Sequence, residues 1–173
     1  SLLLAGTVAA ADKKPLPRLP DAKPPGNAKV ATSIERGIYF LVGNQNKDGS
    51  WGSPRNTKGL NIYAPTFQSH LAFRLAVTSL CTTAMIEAGG DTPQTRAALK
   101  DAEAYLLEHL PKLRRANATA IYNVWSHGYG LQALVRLRAR AKDAPAKLKQ
   151  IDAVIAQQFG QIGRSYVVTP VNN

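Results

Sequence analysis

Apolar residues recur at helical spacing in five separate stretches of the chain. In the first, Ile34, Ile38, Leu41 and Val42 stand at i, i+4, i+7 and i+8, one stripe of a helix that Gln45 ends. Thr32 followed by Glu35 has capping-box spacing and predicts its start. Asp48-Gly49 then predicts a chain reversal, since glycine accepts a positive φ and aspartate bonds its own downstream backbone. From about Ser69 to Ala88 the residues Leu71, Phe73, Leu75, Val77, Leu80, Cys81, Met85 and Ile86 occupy most of a helix circumference, the mark of an inner helix with several neighbours. Gly89-Gly90 ends it, and Asp91-Thr92-Pro93 supplies a cap and an N1 proline for a third helix. That helix carries a single stripe, Leu99, Ala102, Leu106 and Leu110, and reads as an outer one. A fourth helix is expected from about Ser126 to Arg140. Ala144-Pro145 opens a fifth, with Leu148, Ile151 and Ile155 inward, which Gly160 and Gly163 are expected to break. Ser165 to Val171 reads as extended. Single-stripe and largely apolar helices alternate, so the pattern predicts an all-α chain of about five helices in hairpins, with a repeat of roughly 55 to 60 residues.

The end of the first helix is more ordered than a generic helix and turn. A Gln45 amide there can bond free backbone groups, and the Trp51 indole six residues on can cover it while its N–H finds an acceptor. The run therefore reads as a structural clamp between helices; the plain alternative is a helix followed by a loop with an exposed tryptophan. Arg36, Gly37, Phe40, Leu41, Gln45, Asp48, Gly49 and Trp51 together resemble the QW motif of the squalene/hopene cyclase and prenyltransferase repeat superfamily (terpenoid cyclase superfamily). The resemblance implies a partial α/α toroid of helical hairpins and leaves the reaction open. Aligning the fifth helix on the motif places Lys149 at Arg36, Val154 at Leu41 and Gln158 at Gln45, but the Asp-Gly-x-Trp part is lost there. The chain supplies fewer hairpins than a closed toroid uses, so either the remainder of a longer toroid or an oligomer is expected to close its exposed helices.

Charge and composition refine this picture. Lys and Arg number 22 against 11 Asp and Glu, a formal net charge of +11, which favours anionic partners such as an anionic polymer. Part of that charge lies in residues 12–29, where Pro15, Pro17, Pro20, Pro24 and Pro25 interleave with Lys13, Lys14, Arg18, Lys23 and Lys29 as a stiff linker. In the folded part the densest basic run is Arg136, Arg138, Arg140, Lys142, Lys147 and Lys149; it lacks interleaved aromatics, so nucleic acid is not an expected partner. Residues 1–11, an apolar run ending in small residues, read as the remainder of a secretory signal peptide whose basic start is missing, and they imply export. No stretch approaches the roughly 20 apolar residues of a membrane span. Residues 30–164 are thus expected to form the toroid portion and 165–173 a tail. The sole cysteine, Cys81, excludes an internal disulfide framework and reads as a small core residue.

Candidate chemistry centres on a second repeat. Ser69-His70 and Ser126-His127 open the two inner helices, with Ala76/Ala133, Val77/Leu134 and Leu80/Leu137 following at the same offset of 57 residues. If the helices are adjacent, the histidines lie at equivalent heights where such folds hold a cavity, and near helix N-termini both would tend to stay neutral. Tyr122, Trp125 and Tyr129 are expected around His127. These five residues, His70, His127, Tyr122, Trp125 and Tyr129, form the candidate ligand site. The competing reading has each serine capping its helix and each histidine packed in an interface. Two histidines with no carboxylate or cysteine pair nearby make a weak metal signal, a shared ligand or metal being the narrower alternative, and no metal or cofactor is expected. The Asp-x-Asp-Asp acid of the cyclases is absent, as no two aspartates lie closer than nine residues apart. The prenyltransferase Asp-x-Cys pair is absent too, Ser79 preceding Cys81 at that position. The expectation is an exported repeat protein with a toroid scaffold that binds a ligand or protein without catalysing a reaction. The alternative is part of a terpene-cyclase-like or polysaccharide-processing enzyme whose acids lie beyond residue 173.

Overall fold

The structure, a computed structural model, describes residues 26–53, 66–89, 91–115 and 123–165. Among them five α-helices follow in order: α1 (Asn27–Gly43), α2 (Phe67–Glu87), α3 (Pro93–His109), α4 (Asn123–Arg140) and α5 (Pro145–Ser165), with a 3-10 turn, Leu110–Lys112, after α3. The chain is all-helical over these residues. Tyr122 and residues 1–11 lie outside them, as do most of the linker and the tail beyond Ser165.

The helix ends follow local chemistry. Thr92 caps α3 by accepting from the Thr95 amide at 3.1 Å, with Pro93 in the first turn where its missing N–H costs nothing. Thr66 caps α2 in the same way, through the Ser69 amide at 3.3 Å. Two expectations at helix ends are corrected. First, α1 begins at Asn27, behind Gly26 with no side-chain cap, so the last linker residues are helical. Thr32 is interior, its hydroxyl donating back to the Ala28 carbonyl at 3.1 Å instead of capping. Second, Gly160 and Gly163 do not break α5, which runs through both to Ser165. A helical glycine costs about 1 kcal/mol relative to alanine, and the buried Ile151, Val154 and Gln158 anchor the preceding turns.

Packing arranges the helices in two layers. The inner pair, α2 and α4, lie side by side; α3 packs on α2 and α5 on α4, and α3 also touches α1 and α5. The alternation of single-stripe and broadly apolar helices thus corresponds to the observed layering. Small residues on α2 and Gly130 on α4 permit close approach. A Cβ at Gly130 would come within 2.8 Å of the Leu110 side chain, and the buried Ser126 hydroxyl donates to the Ala72 carbonyl of α2. The main core joins Leu75 of α2, Leu106 and Leu110 of the α3 segment, Leu134 and Leu137 of α4 and Ile151 of α5, all at most 2% exposed. A second core surrounds Trp51 and Met85, with Ala98, Leu99 and Ala102 of α3.

Helix α1 is held differently from the others. None of its residues is fully buried, and only Ile38, Leu41 and Val42 pack on the second core. Open grooves of about 440 and 560 Å³ flank it. Phe40, a motif position, is 62% exposed and Arg36 is also exposed, so these two contribute nothing to the clamp itself.

Candidate functional site

The turn after α1 is held by side-chain hydrogen bonds that reach beyond its own helix. Gln45 donates from Nε2 to the Gly49 carbonyl at 2.9 Å and to the Ala98 carbonyl of α3 at 2.8 Å. Trp51 is 3% exposed; its indole N–H donates to the Leu41 carbonyl at 2.8 Å and its amide to the Thr78 hydroxyl of α2 at 3.0 Å. Asp48 accepts from the Ser50 amide and hydroxyl at 3.1 and 2.6 Å, and its other oxygen faces Arg74 at 3.3 Å. Burial pushes the Asp48 carboxyl up, but the Ser50 donors and then the Arg74 charge outweigh it and hold the carboxyl below its ordinary value. Gly49 has φ +84°, the left-handed conformation the Asp-Gly pair predicts. The clamp therefore exists, and it reaches α3 and α2 as well as its own helix end.

The two histidines occupy different surroundings. His127 is 1% exposed, turned into the α4–α5 interface with its Nδ1 2.6 Å from Gln158 Oε1. Gln158 donates its amide nitrogen to the Leu110 carbonyl at 3.2 Å. Its oxygen is therefore the atom facing the ring, and His127 carries its hydrogen on Nδ1. Burial first, and the Arg114 charge besides, lower the His127 pKa, partly offset by the Gln158 bond. Ser126 is not a cap, its hydroxyl being spent on Ala72. His70 is half-buried and lines a recess of about 100 Å³ with Phe73, Arg74, Val77, Gly52 and Ser53. His127 does not line that recess. The shared height of the pair in sequence does not bring the rings to one site, because α5 covers the His127 face of α4.

A depressed His127 pKa has a sign in stability. The unfolded ring titrates near 6.5 and the folded one below it, so the unfolded chain binds more protons between the two values. The contribution is fully present above 6.5 and is lost as pH falls from there towards the folded pKa. The midpoint of urea unfolding is expected to drop between pH 7.5 and 5, and His127→Asn to flatten that drop. An unchanged pH slope in the variant would remove His127 as its cause.

Of the aromatic residues expected near His127, the structure places Trp125 and Tyr129 elsewhere. Trp125 is 52% exposed and Tyr129 37%, one helical turn apart on the open face of α4. The Trp125 ring meets Phe73 of α2 with centroids 5.8 Å apart and planes tilted by 54°. Phe73 also lines the His70 recess, so Trp125 joins His70 through it. Val77 and Leu80, spaced i+4 and i+7 from Phe73, extend the face along α2, 39% and 44% exposed. Phe73 and Arg74 were missed as site residues, although each stands one turn from His70 on the same helix, at i+3 and i+4.

Other chemistry is limited. Burial pushes the Cys81 thiol up to about 11, which keeps it protonated and a poor nucleophile at neutral pH. Among the described residues no three His, Cys, Asp or Glu side chains gather where they could hold a metal ion. No described helix is long and apolar enough to cross a membrane. Comparison with family models, with curated proteins and with solved structures returns no match.

Proposed function

We propose that the protein is an exported helical-hairpin repeat scaffold of the squalene-cyclase and prenyltransferase type, part of an α/α toroid, whose inner layer binds an apolar ligand or the apolar side chains of a protein. The observation that carries the binding reading is the open face of Val77, Leu80, Trp125 and Tyr129 across α2 and α4, joined through the half-buried Phe73 and its contact with Trp125. Side chains of this kind left in water mark interaction surfaces, and aromatic anchors contribute most where a partner covers them. The clamp supports the scaffold reading, since it ties one outer helix to an inner helix and to the next outer helix. Among the described residues the face is mainly apolar and aromatic, which supports the binding reading.

The test is a calorimetric titration, with farnesol as the small apolar probe and an amphipathic peptide as the protein-like one. Saturable binding of one of them is expected, weakened about tenfold by Trp125→Ala or Phe73→Ala, in line with about 1.4 kcal/mol per aromatic contact. If neither probe saturates, or both variants bind as the parent does, the reading fails.

A further inference from the structure

Helix α1 forms an open edge of the array, with no fully buried residue, and the groove of about 440 Å³ on one of its sides is an apolar channel. Ile34, Ile38 and Val42 line it from α1, beside the Tyr39 ring, which is 84% exposed. Two polar side chains complete the lining, Glu35 from α1 and Gln94 from α3, both exposed and neither with a described side-chain partner. The groove of about 560 Å³ on the other side of α1 has no such free acid, because its Glu87 already pairs with Arg136.

We propose that residues 15–25 of the same chain, which lie outside the described residues, occupy this groove as a strap running antiparallel to α1. Proximity, composition and register select this occupant. The stretch ends at Gly26, the residue before α1. Its effective concentration at the groove is therefore on the order of millimolar, against which a second copy or a free peptide competes only at its own much lower concentration. Five prolines in eleven residues favour a polyproline II helix, which enters aromatic-lined grooves at low entropic cost and leaves its carbonyls free for a donor such as the Gln94 amide. A polyproline II helix rises about 3.1 Å per residue and an α-helix about 1.5 Å. About six residues back from Gly26 thus span the same length as about thirteen along α1, which sets Pro20 level with Tyr39. At three residues per turn, Lys23 shares a face with Pro20 and comes within side-chain reach of Glu35, while Asp21 falls a third of a turn away. The unpaired carboxylate of the groove thereby meets a cation, and the tyrosine ring a proline.

The experiment is limited proteolysis of the full chain by trypsin. Within the strap Arg18–Leu19 is the one cleavable bond, since proline follows Lys23, and Lys13–Lys14 just outside it serves as an internal reference. The ratio of the first cleavage rate to the second is expected to rise about tenfold in Tyr39→Ser/Glu35→Lys, and about threefold in either single variant, as the open population grows. These substitutions leave the cleaved sequence itself unchanged. Phe40→Ser, on the opposite groove, is expected to leave the ratio as it is. An equal rise in Phe40→Ser, or no rise in the double variant, would overturn the site. Dilution from about 100 to about 1 μM separates the occupants, because contacts between chains weaken with concentration and contacts within one do not. An unchanged ratio is expected, and a ratio that rises on dilution would overturn the strap in favour of a second copy. Glu35, Tyr39 and Phe40 are all exposed, so unchanged circular dichroism is expected. If the double variant loses helicity, the single variants decide, and a flat ratio in both overturns the proposal.

Discussion

Gly49→Ala is expected to destabilise the protein by about 3 kcal/mol, a fall of roughly 10 °C in Tm for a chain of this size. Two costs combine. Gly49 sits at φ +84°, where an L side chain costs about 1 to 2 kcal/mol. An added methyl would also lie 2.6 Å from the Asp101 carbonyl carbon of α3, and closer still to its oxygen. That neighbour is helix backbone, which cannot rotate aside, and overpacking of this kind costs about 1 to 3 kcal/mol. A second motif glycine gives the control. Gly37 lies within α1, and a Cβ there meets nothing within 4 Å. Gly37→Ala is therefore expected to leave stability unchanged or raise it by up to about 1 kcal/mol through helix propensity. Thermal unfolding of the two variants checks both, and similar shifts at the two glycines would refute the contact argument.

Trp51→Ala is expected to cost about 4 kcal/mol, as for other fully buried aromatic truncations. The indole fills the second core against Met85, Ala98, Leu99 and Ala102. Trp51→Phe separates burial from hydrogen bonding. It keeps most of the ring and loses only the N–H to Leu41, a carbonyl that also accepts from the Asn44 amide at 3.2 Å. The phenylalanine variant should therefore lose about 1 kcal/mol beyond its smaller volume. Urea denaturation gives both values; equal losses would mean that the hydrogen bond, not the packing, fixes the turn.

Much of the fold was legible because its signals are local. The Thr92-Pro93 start of α3, the Asp48-Gly49 reversal and the alternation of striped and broadly apolar helices all rest on contacts within a few residues or on burial of one face. The start of α1 was not legible, since Thr32 and Glu35 have capping spacing whether or not the helix has already begun upstream. The glycines of α5 misled for a related reason. Propensity sets a cost at Gly160 and Gly163, but the burial of Ile151, Val154 and Gln158 against α3 and α4 decides whether the helix starts securely enough to bear it.

The candidate site divides along the same line. Repeat spacing placed His70 and His127 at matching positions, yet burial of the matching faces differs. Val77 and Leu80 are open on α2, whereas their counterparts Leu134 and Leu137 are at most 2% exposed beneath the main core. Which face a neighbour covers depends on helices far along the chain, and spacing within one helix does not carry that information. Gln158 and Gln45, which align in sequence, have one feature in common. Both amides donate to carbonyls of the α3 segment, Ala98 and Leu110, although Gln158 does so from within a continuing helix.

The partners chosen by the clamp have a consequence for how such a unit can diverge. Gln45 and the Trp51 indole bond main-chain carbonyls, those of Gly49, Ala98 and Leu41. Every residue type offers that acceptor, so the residues supplying it can be exchanged without breaking the bond, provided the backbone stays in place. Thr78 is the one side-chain partner of Trp51's own amide. Two side-chain donors can thus hold this turn whatever side chains stand at the positions whose carbonyls they bond, so its hydrogen bonding depends on where the backbone runs and not on which residues line it.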